Sequence, residues 1–352
     1  MNENEYIANI ICEQLTNGLP IVLASIVQLQ GSSPRHHGTK MVVGTDGKSY
    51  GTIGGSLLEA TTLKEAMGVL LQRQSKLMNF DLIGNGVYAK GMICGGKAVV
   101  LLDYIPAAQE NFELFKCWHD TMASGRDFYF LTHLRGTNNT VDIAGRSLLF
   151  SGGNVIGNYP IPSSHVEIIR AELHNISKTT IIPIEDIRVV VDPIRKLKTL
   201  YCFGAGHVAV PTAHIAAMAG FRVVVLDDRS EFANAERFPD ANHIRLIANF
   251  NQAFAGLDID SDSFIVILTR GHQFDREVLE ESLKTNAGYI GMISSRKKRD
   301  AVYAALIAKG LNIQELKRVY SPIGIAIGGE TPEEIAVSIV AELIYERSRQ
   351  QK

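Results

Sequence analysis

The stretch Leu200-Tyr201-Cys202-Phe203-Gly204-Ala205-Gly206-His207-Val208-Ala209 decides the fold. Four apolar residues run into two glycines with the spacing G-x-G-x-x-G/A, Ala209 standing in the third place. A strand that turns directly into a helix needs each small residue for a separate reason. Gly204 permits the tight turn, Gly206 lets the backbone approach a ligand phosphate, and Ala209 lets the helix lie close on the sheet. The unpaired N–H groups and the dipole at the helix start favour an anion there, and His207 inside the loop can hydrogen-bond it or act as an acid.

The pattern extends outward from this turn. Strands are predicted at Thr199–Phe203, Arg222–Leu226, Phe264–Leu268 and Gly288–Ile293, and helices near 207–219, 275–286, 298–309 and 332–348. Such alternation implies a parallel sheet covered by helices, a Rossmann-type doubly wound domain. The second strand ends in Asp227-Asp228-Arg229. Asp227 stands where this fold places an acid for a ribose hydroxyl, and two adjacent acids disfavour a 2′-phosphate. Cys202 lies inside a buried strand and reads as inert core.

The N-terminal part is a different kind of α/β structure. Ile7, Ile10, Ile11 and Leu15 recur at helical spacing before Gly18, Ile21–Val27 and Met41–Val43 read as strands, and Thr45-Asp46-Gly47 as a hairpin turn. Ser56 followed by Glu59 has the form of a capping box, so a helix is expected from Ser56. Further strands are predicted at Ala98–Leu102, Phe128–Thr132, Ser147–Phe150 and Arg188–Val191, the last ended by Pro193, with a helix over Phe112–Ala123. A mixed α/β domain over 1–195, in which 106–195 continues the first half, is therefore expected to precede a Rossmann-type domain over 196–352.

Three loops of the first domain carry chemistry-bearing residues. They are Gly31-Ser32-Ser33-Pro34-Arg35, Gly51-Thr52-Ile53-Gly54-Gly55-Ser56 and Cys94-Gly95-Gly96. Gly54, Gly55 and Ser56 bring backbone N–H groups to a helix start, a natural anion site. Arg35 offers a fork of donors for phosphate or carboxylate, and Cys94 beside two glycines is a candidate thiolate for metal or sulfur chemistry. Taken singly, each loop also serves as a hairpin turn or helix cap.

Composition narrows the class of protein. Hydrophobic residues make up 46% of 352 and charged residues 20%, which suits a well-buried globular chain. A net charge of -2 gives no reason to expect nucleic acid as a partner. Glu3 and Glu5 precede the first apolar residues, the wrong charge for a secretory signal, and no apolar run reaches the about 18 residues of a membrane span. The cysteines Cys12, Cys94, Cys117 and Cys202 show no CxxC spacing, so a reducing cytoplasm is expected. No HExxH occurs and the adjacent His36 and His37 would point to opposite faces of a strand, so no metal site is expected.

The three loops above, together with Gly204-Ala205-Gly206-His207-Val208, Gly288-Tyr289-Ile290-Gly291, Ser294-Ser295-Arg296-Lys297 and Ser321-Pro322-Ile323-Gly324, occur in one order. In this the chain resembles the XdhC/CoxI family, the xanthine dehydrogenase accessory proteins, from about residue 10 to about residue 345. The resemblance implies a cofactor-maturation chaperone more than a stand-alone enzyme. It would bind molybdenum cofactor (molybdopterin) and assist its sulfuration and insertion into a xanthine dehydrogenase-type hydroxylase, with a cysteine desulfurase as sulfur donor. Carried over with it are Arg35, Gly54, Gly55, Cys94, Gly204, Gly206, His207, Ser294, Ser295 and Arg296. The chain departs from many relatives at Ser56 and Leu57, where they hold glycine and cysteine, so a second thiol is not carried over. The alternative reading is an NAD(P)-dependent oxidoreductase or a nucleotide-sensing regulator built on the Rossmann signature, although no Tyr-x-x-x-Lys pair or His–Asp dyad stands out to move the proton. A homodimer is expected on base rates alone.

Overall fold

A computed structural model describes residues 3–31, 36–81, 96–136, 140–159 and 161–350. The chain divides into two compact units, Met1–Lys196 and Leu197–Lys352.

The first unit begins with α1 (Glu3–Thr16), β1 (Ile21–Gly31), β2 (Lys40–Gly44), β3 (Ser49–Gly51), α2 (Ser56–Gln72), β4 (Lys76–Asp81) and β5 (Gly96–Ile105). It continues through α3 (Gln109–Ala123), β6 (Phe128–Arg135), β7 (Asp142–Phe150), β8 (Val155–Gly157), α4 (Ser163–Glu172), β9 (Thr180–Ile184) and β10 (Ile187–Ile194). The strands form two antiparallel sheets, ordered β3-β2-β1-β5-β4 and β8-β7-β6-β10-β9. Alternation along the strands sends one set of side chains to each face. Ile21 and Leu23 of the first sheet and Phe128, Phe130 and Ile194 of the second share one core with α1 and α3, centred on the fully buried Trp118. The opposite face of the first sheet, including Val22, Ala24 and Ile26, is covered by Leu58, Ala66 and Val69 of α2. Ile169 of α4 lies in the core formed with Tyr129, Leu131 and Val189 of the second sheet.

Two buried ion pairs tie these sheets together. Lys40 Nζ on β2 lies 2.6 Å from Asp192 Oδ2 on β10 and also donates to Gly38 O (2.7 Å) and Asn4 Oδ1 (3.0 Å). Arg146 on β7 forks onto Asp103 on β5, with Nε 2.7 Å from Oδ2, and also reaches Tyr104 O at 2.8 Å. Charges this deep persist only when paired and fully hydrogen-bonded, so removing one partner of either pair would cost about 3–5 kcal/mol.

The second unit alternates throughout: β11 (Thr199–Phe203), α5 (Ala209–Met218), β12 (Arg222–Asp227), β13 (His243–Leu246), β14 (Ser263–Ile267), α6 (His272–Ser282), β15 (Tyr289–Met292), α7 (Arg296–Ala308), β16 (Val319–Tyr320) and α8 (Pro332–Gln350). All six strands are parallel, in the order β13-β12-β11-β14-β15-β16. Within the unit this is the order 3-2-1-4-5-6 of a Rossmann domain, so the α/β class with a doubly wound parallel sheet holds. Leu200, Cys202, Val223 and Val225 face α5 and α8, whereas Tyr201, Phe203, Val224 and Leu226 face α6 and α7. No described helix is long and apolar enough to cross a membrane.

Two local expectations need correction. Pro193 does not end its strand: β10 runs on to Ile194, and Pro193 pairs with Tyr129. β9 pairs β10 only as far as Val191, so the proline has one free flank and its missing N–H costs no ladder bond. The capping box is also displaced. Gly55, with φ 70°, is the N-cap of α2, and the Glu59 carboxylate reaches back past Ser56 to earlier donors.

Candidate functional site

In an open parallel sheet, ligands bind beyond the carboxyl ends of the strands, at the point where strand order reverses. Here that point lies between β11 and β14. Gly204 turns out of β11 with φ +108°, and a Cβ on it would overlap the Leu268 carbonyl. Glycine is required there by backbone conformation and by packing together. Gly206 is the opposite case. A Cβ built on it meets nothing within 4 Å, so the turn is open at the position where a ligand would approach. His207 is exposed beside it, ahead of α5.

Asp227, expected to read a ribose, is buried and hydrogen-bonded within the chain. Asp227 is 1% exposed, and its carboxylate accepts from Ala205 N (2.8 Å), Arg229 N (3.1 Å), Arg229 Nε (2.9 Å) and Arg229 Nη2 (3.0 Å). It holds the Gly204–Gly206 turn against the end of β12, and its lone pairs are already in use. Ala205 O in turn accepts from Arg237 Nη2 at 3.2 Å. Arg229 and Arg237 both stack on Phe232, with guanidinium carbons 3.7 and 4.9 Å from the ring centroid.

Asp228, one residue on, is partly exposed and forms a bidentate pair with Arg270, with Nη2 2.8 Å from Oδ2. The Arg270 guanidinium holds the Asp228 carboxyl below the usual carboxylate range, and Asp228 raises Arg270 in return. Burial, with a smaller contribution from Asp227, pushes the Cys202 thiol up to about 12, which leaves it an inert core residue.

Ser294, Ser295 and Arg296 follow β15 on the same carboxyl edge. Ser295 caps α7 by accepting from Lys298 N at 3.2 Å, and Ser294 Oγ lies 2.9 Å from Ser321 Oγ, so both hydroxyls already serve the fold. Arg296 and His272 are exposed at the first turns of α7 and α6. Sequence reasoning missed a third cluster: buried Asp275 accepts from Thr269 Oγ1 at 2.5 Å and pairs with Lys298 Nζ at 2.7 Å. The Arg296–Arg299 run conceals Lys298, since such a run reads as a solvated basic face.

In the first unit the glycine loop carries its own anion. Glu59 Oε2 accepts from Ile53 N (3.1 Å), Gly55 N (3.2 Å) and the Thr52 hydroxyl, while Gly54 N donates to Thr52 Oγ1 at 3.2 Å. The N–H groups of Gly54 and Gly55, expected to receive a ligand, are thus taken by the chain's own side chains. Arg35 and Cys94 lie outside the described residues, as does the side chain of Ser56. The described residues flanking their loops are paired, Gly31 with Gly96 across β1 and β5. Among the described residues no group of three His, Cys, Asp or Glu is placed to hold a metal ion.

Comparison with known proteins accounts for both units. Residues 14–81 match the XdhC and CoxI family, and residues 200–343 match the XdhC Rossmann domain. The chain belongs to the XdhC/CoxI family. It is 28% identical to a probable xanthine dehydrogenase component of Bacillus subtilis, over 93% of each chain. It is 20% identical to the molybdenum cofactor insertion chaperone PaoD of Escherichia coli, over 100% of this chain and 91% of that one. The uncharacterized protein YqeB of E. coli is 26% identical over 92% of this chain, which spans only 43% of YqeB. The crystal structure of a xanthine dehydrogenase from Bacillus halodurans superposes with a TM-score of 0.81 at 27% identity, over 99% of this chain and 97% of that one.

Proposed function

We propose that this chain is an accessory factor that binds molybdenum cofactor, assists its sulfuration and delivers it to a xanthine dehydrogenase-type hydroxylase. The observation that carries this reading is the open turn at Gly206. It is a helix start at the switch point of a Rossmann sheet with empty space where a side chain would stand. A molybdopterin phosphate fits such a turn, because the amino end of α5 presents N–H groups and a positive dipole to it. When bound, the cofactor supplies a dithiolene-held metal whose terminal ligand is the target of sulfuration. The protein's part is to hold the phosphate at Gly206, with His207 beside it as a donor. Cys94 is the thiolate proposed to handle sulfur from a cysteine desulfurase, and Arg35 a further anion donor.

The reading as an NAD(P)-dependent oxidoreductase draws less support from the same residues. Asp227, the acid at the ribose position, is consumed by Ala205 and Arg229 and does not stand free for a ribose hydroxyl. The name of one relative, the molybdenum cofactor insertion chaperone PaoD, favours the cofactor-handling reading as well.

The role of Cys94 is tested in a host whose own copy of this gene is deleted, by measuring activity of the molybdenum hydroxylase. Wild type restores it; Cys94→Ala, present at equal level, leaves most of the hydroxylase inactive. Full restoration by the variant would remove Cys94 from the scheme.

A further inference from the structure

We propose that Arg270 is the phosphate-binding side chain of the Rossmann crevice and that Asp228 is its internal competitor, a carboxylate that holds the guanidinium until an anion displaces it. The proposal rests on the reading of Gly206 as a phosphate site.

Its basis is where the pair stands. β12 and β14 flank β11 in the sheet. Asp228 is the first residue beyond β12, and Arg270 lies three beyond β14, so their bidentate pair bridges the carboxyl end of β11, where Gly204 leaves the sheet. Three of the neighbouring cations are committed elsewhere. Arg229 is bound to buried Asp227, Arg237 donates to Ala205 O, and Lys298 is paired with buried Asp275. Releasing any of them would strand a buried acceptor. Arg270 differs, since its side chain is 36% exposed, it lies over the Phe274 ring at 4.4 Å, and its partner Asp228 is itself reached by water.

An ion pair that solvent reaches on both partners can exchange a partner without stranding a buried charge, and a guanidinium fork matches a phosphate as well as it matches a carboxylate. A phosphate arriving at Gly206 can therefore take Arg270 while Asp228 returns to water, an exchange that neither Arg229 nor Lys298 can make. The ligand class is a phosphate ester or diphosphate. The Asp228 carboxylate sets a threshold against weaker anions.

The test is a double-mutant cycle read by calorimetric titration of the full chain with inorganic pyrophosphate and, separately, inorganic phosphate. Asp228→Asn is expected to bind about tenfold more tightly than wild type, and Arg270→Gln about tenfold more weakly. The double variant should bind like Arg270→Gln alone, because the gain requires a free guanidinium. Equal or weaker binding by Asp228→Asn overturns the proposal. So does a gain that survives in the double variant, which would mean simple removal of negative charge.

If Gly206→Val abolishes binding while neither charge variant alters it, the competitor fails and the phosphate site stands. If neither wild type nor Asp228→Asn binds either probe, both readings fall.

Discussion

Gly204 and Gly206 look equivalent in the sequence, and the structure gives them opposite jobs. Gly204 is fixed by φ +108° and by the Leu268 carbonyl, which a Cβ would overlap, whereas Gly206 faces open space. Gly204→Ala should therefore destabilise the second unit by about 3 kcal/mol or more, from backbone strain and overlap together. Gly206→Val should leave stability nearly unchanged, so thermal denaturation of the two variants separates the roles; an equal loss in both would contradict this division. The motif is legible because its spacing encodes a turn. The fate of Asp227 is not, because sequence places an acid at a strand end without saying whether its lone pairs are already occupied. Ala205 N and Arg229 occupy them here.

At the scale of elements, legibility follows burial. The strands β11, β12 and β14 are apolar on both faces, and their pattern locates them to within a residue, as it does the helix α8 to within about two. Short or edge strands such as β4, β8, β9, β13 and β16 leave no such pattern, since each is short or flanked on one side only. The helix α4 is hidden as well, its buried face being only His165 and Ile169.

One packed polar group in the second sheet makes a pH-dependent prediction. His133 on β6 is buried, stacked on Tyr159 at 4.5 Å, with Nε2 3.2 Å from Ser147 Oγ and the imidazole of His165 on α4 nearby. Burial first, then His165, pushes its pKa down to about 4. The fold holds it neutral and the unfolded chain protonates near pH 6.5, so its contribution is complete above that pH. It is lost between about 6.5 and 4, to a total of about 3 kcal/mol. The urea midpoint should fall over this range in wild type and fall less in His133→Asn. An unchanged slope in the variant would rule out His133 as the cause.

For the whole molecule, the second unit can be read forward from one motif because its contacts repeat, strand to helix to strand. The first unit cannot. Its shared core brings α1 and α3 between two sheets, and the pairs Lys40–Asp192 and Arg146–Asp103 join residues far apart in the chain. No local pattern announces such partners. The glycine loop of that unit resembles an anion site because the capping-box spacing of Glu59 does not show that its carboxylate reaches back to Ile53 and Gly55.

The central claim is that the crevice at Gly206 holds the phosphate of a pterin cofactor. It is tested most directly by the pterin content of the chain purified without oxygen from a host that makes molybdenum cofactor. A cofactor-deficient strain is the control, and the oxidised pterin is read by fluorescence. The account predicts pterin near one per chain in wild type and almost none in folded Gly206→Val. Pterin retained in that variant would place the ligand elsewhere, and none in wild type, with tight NAD(P) binding instead, would contradict the account.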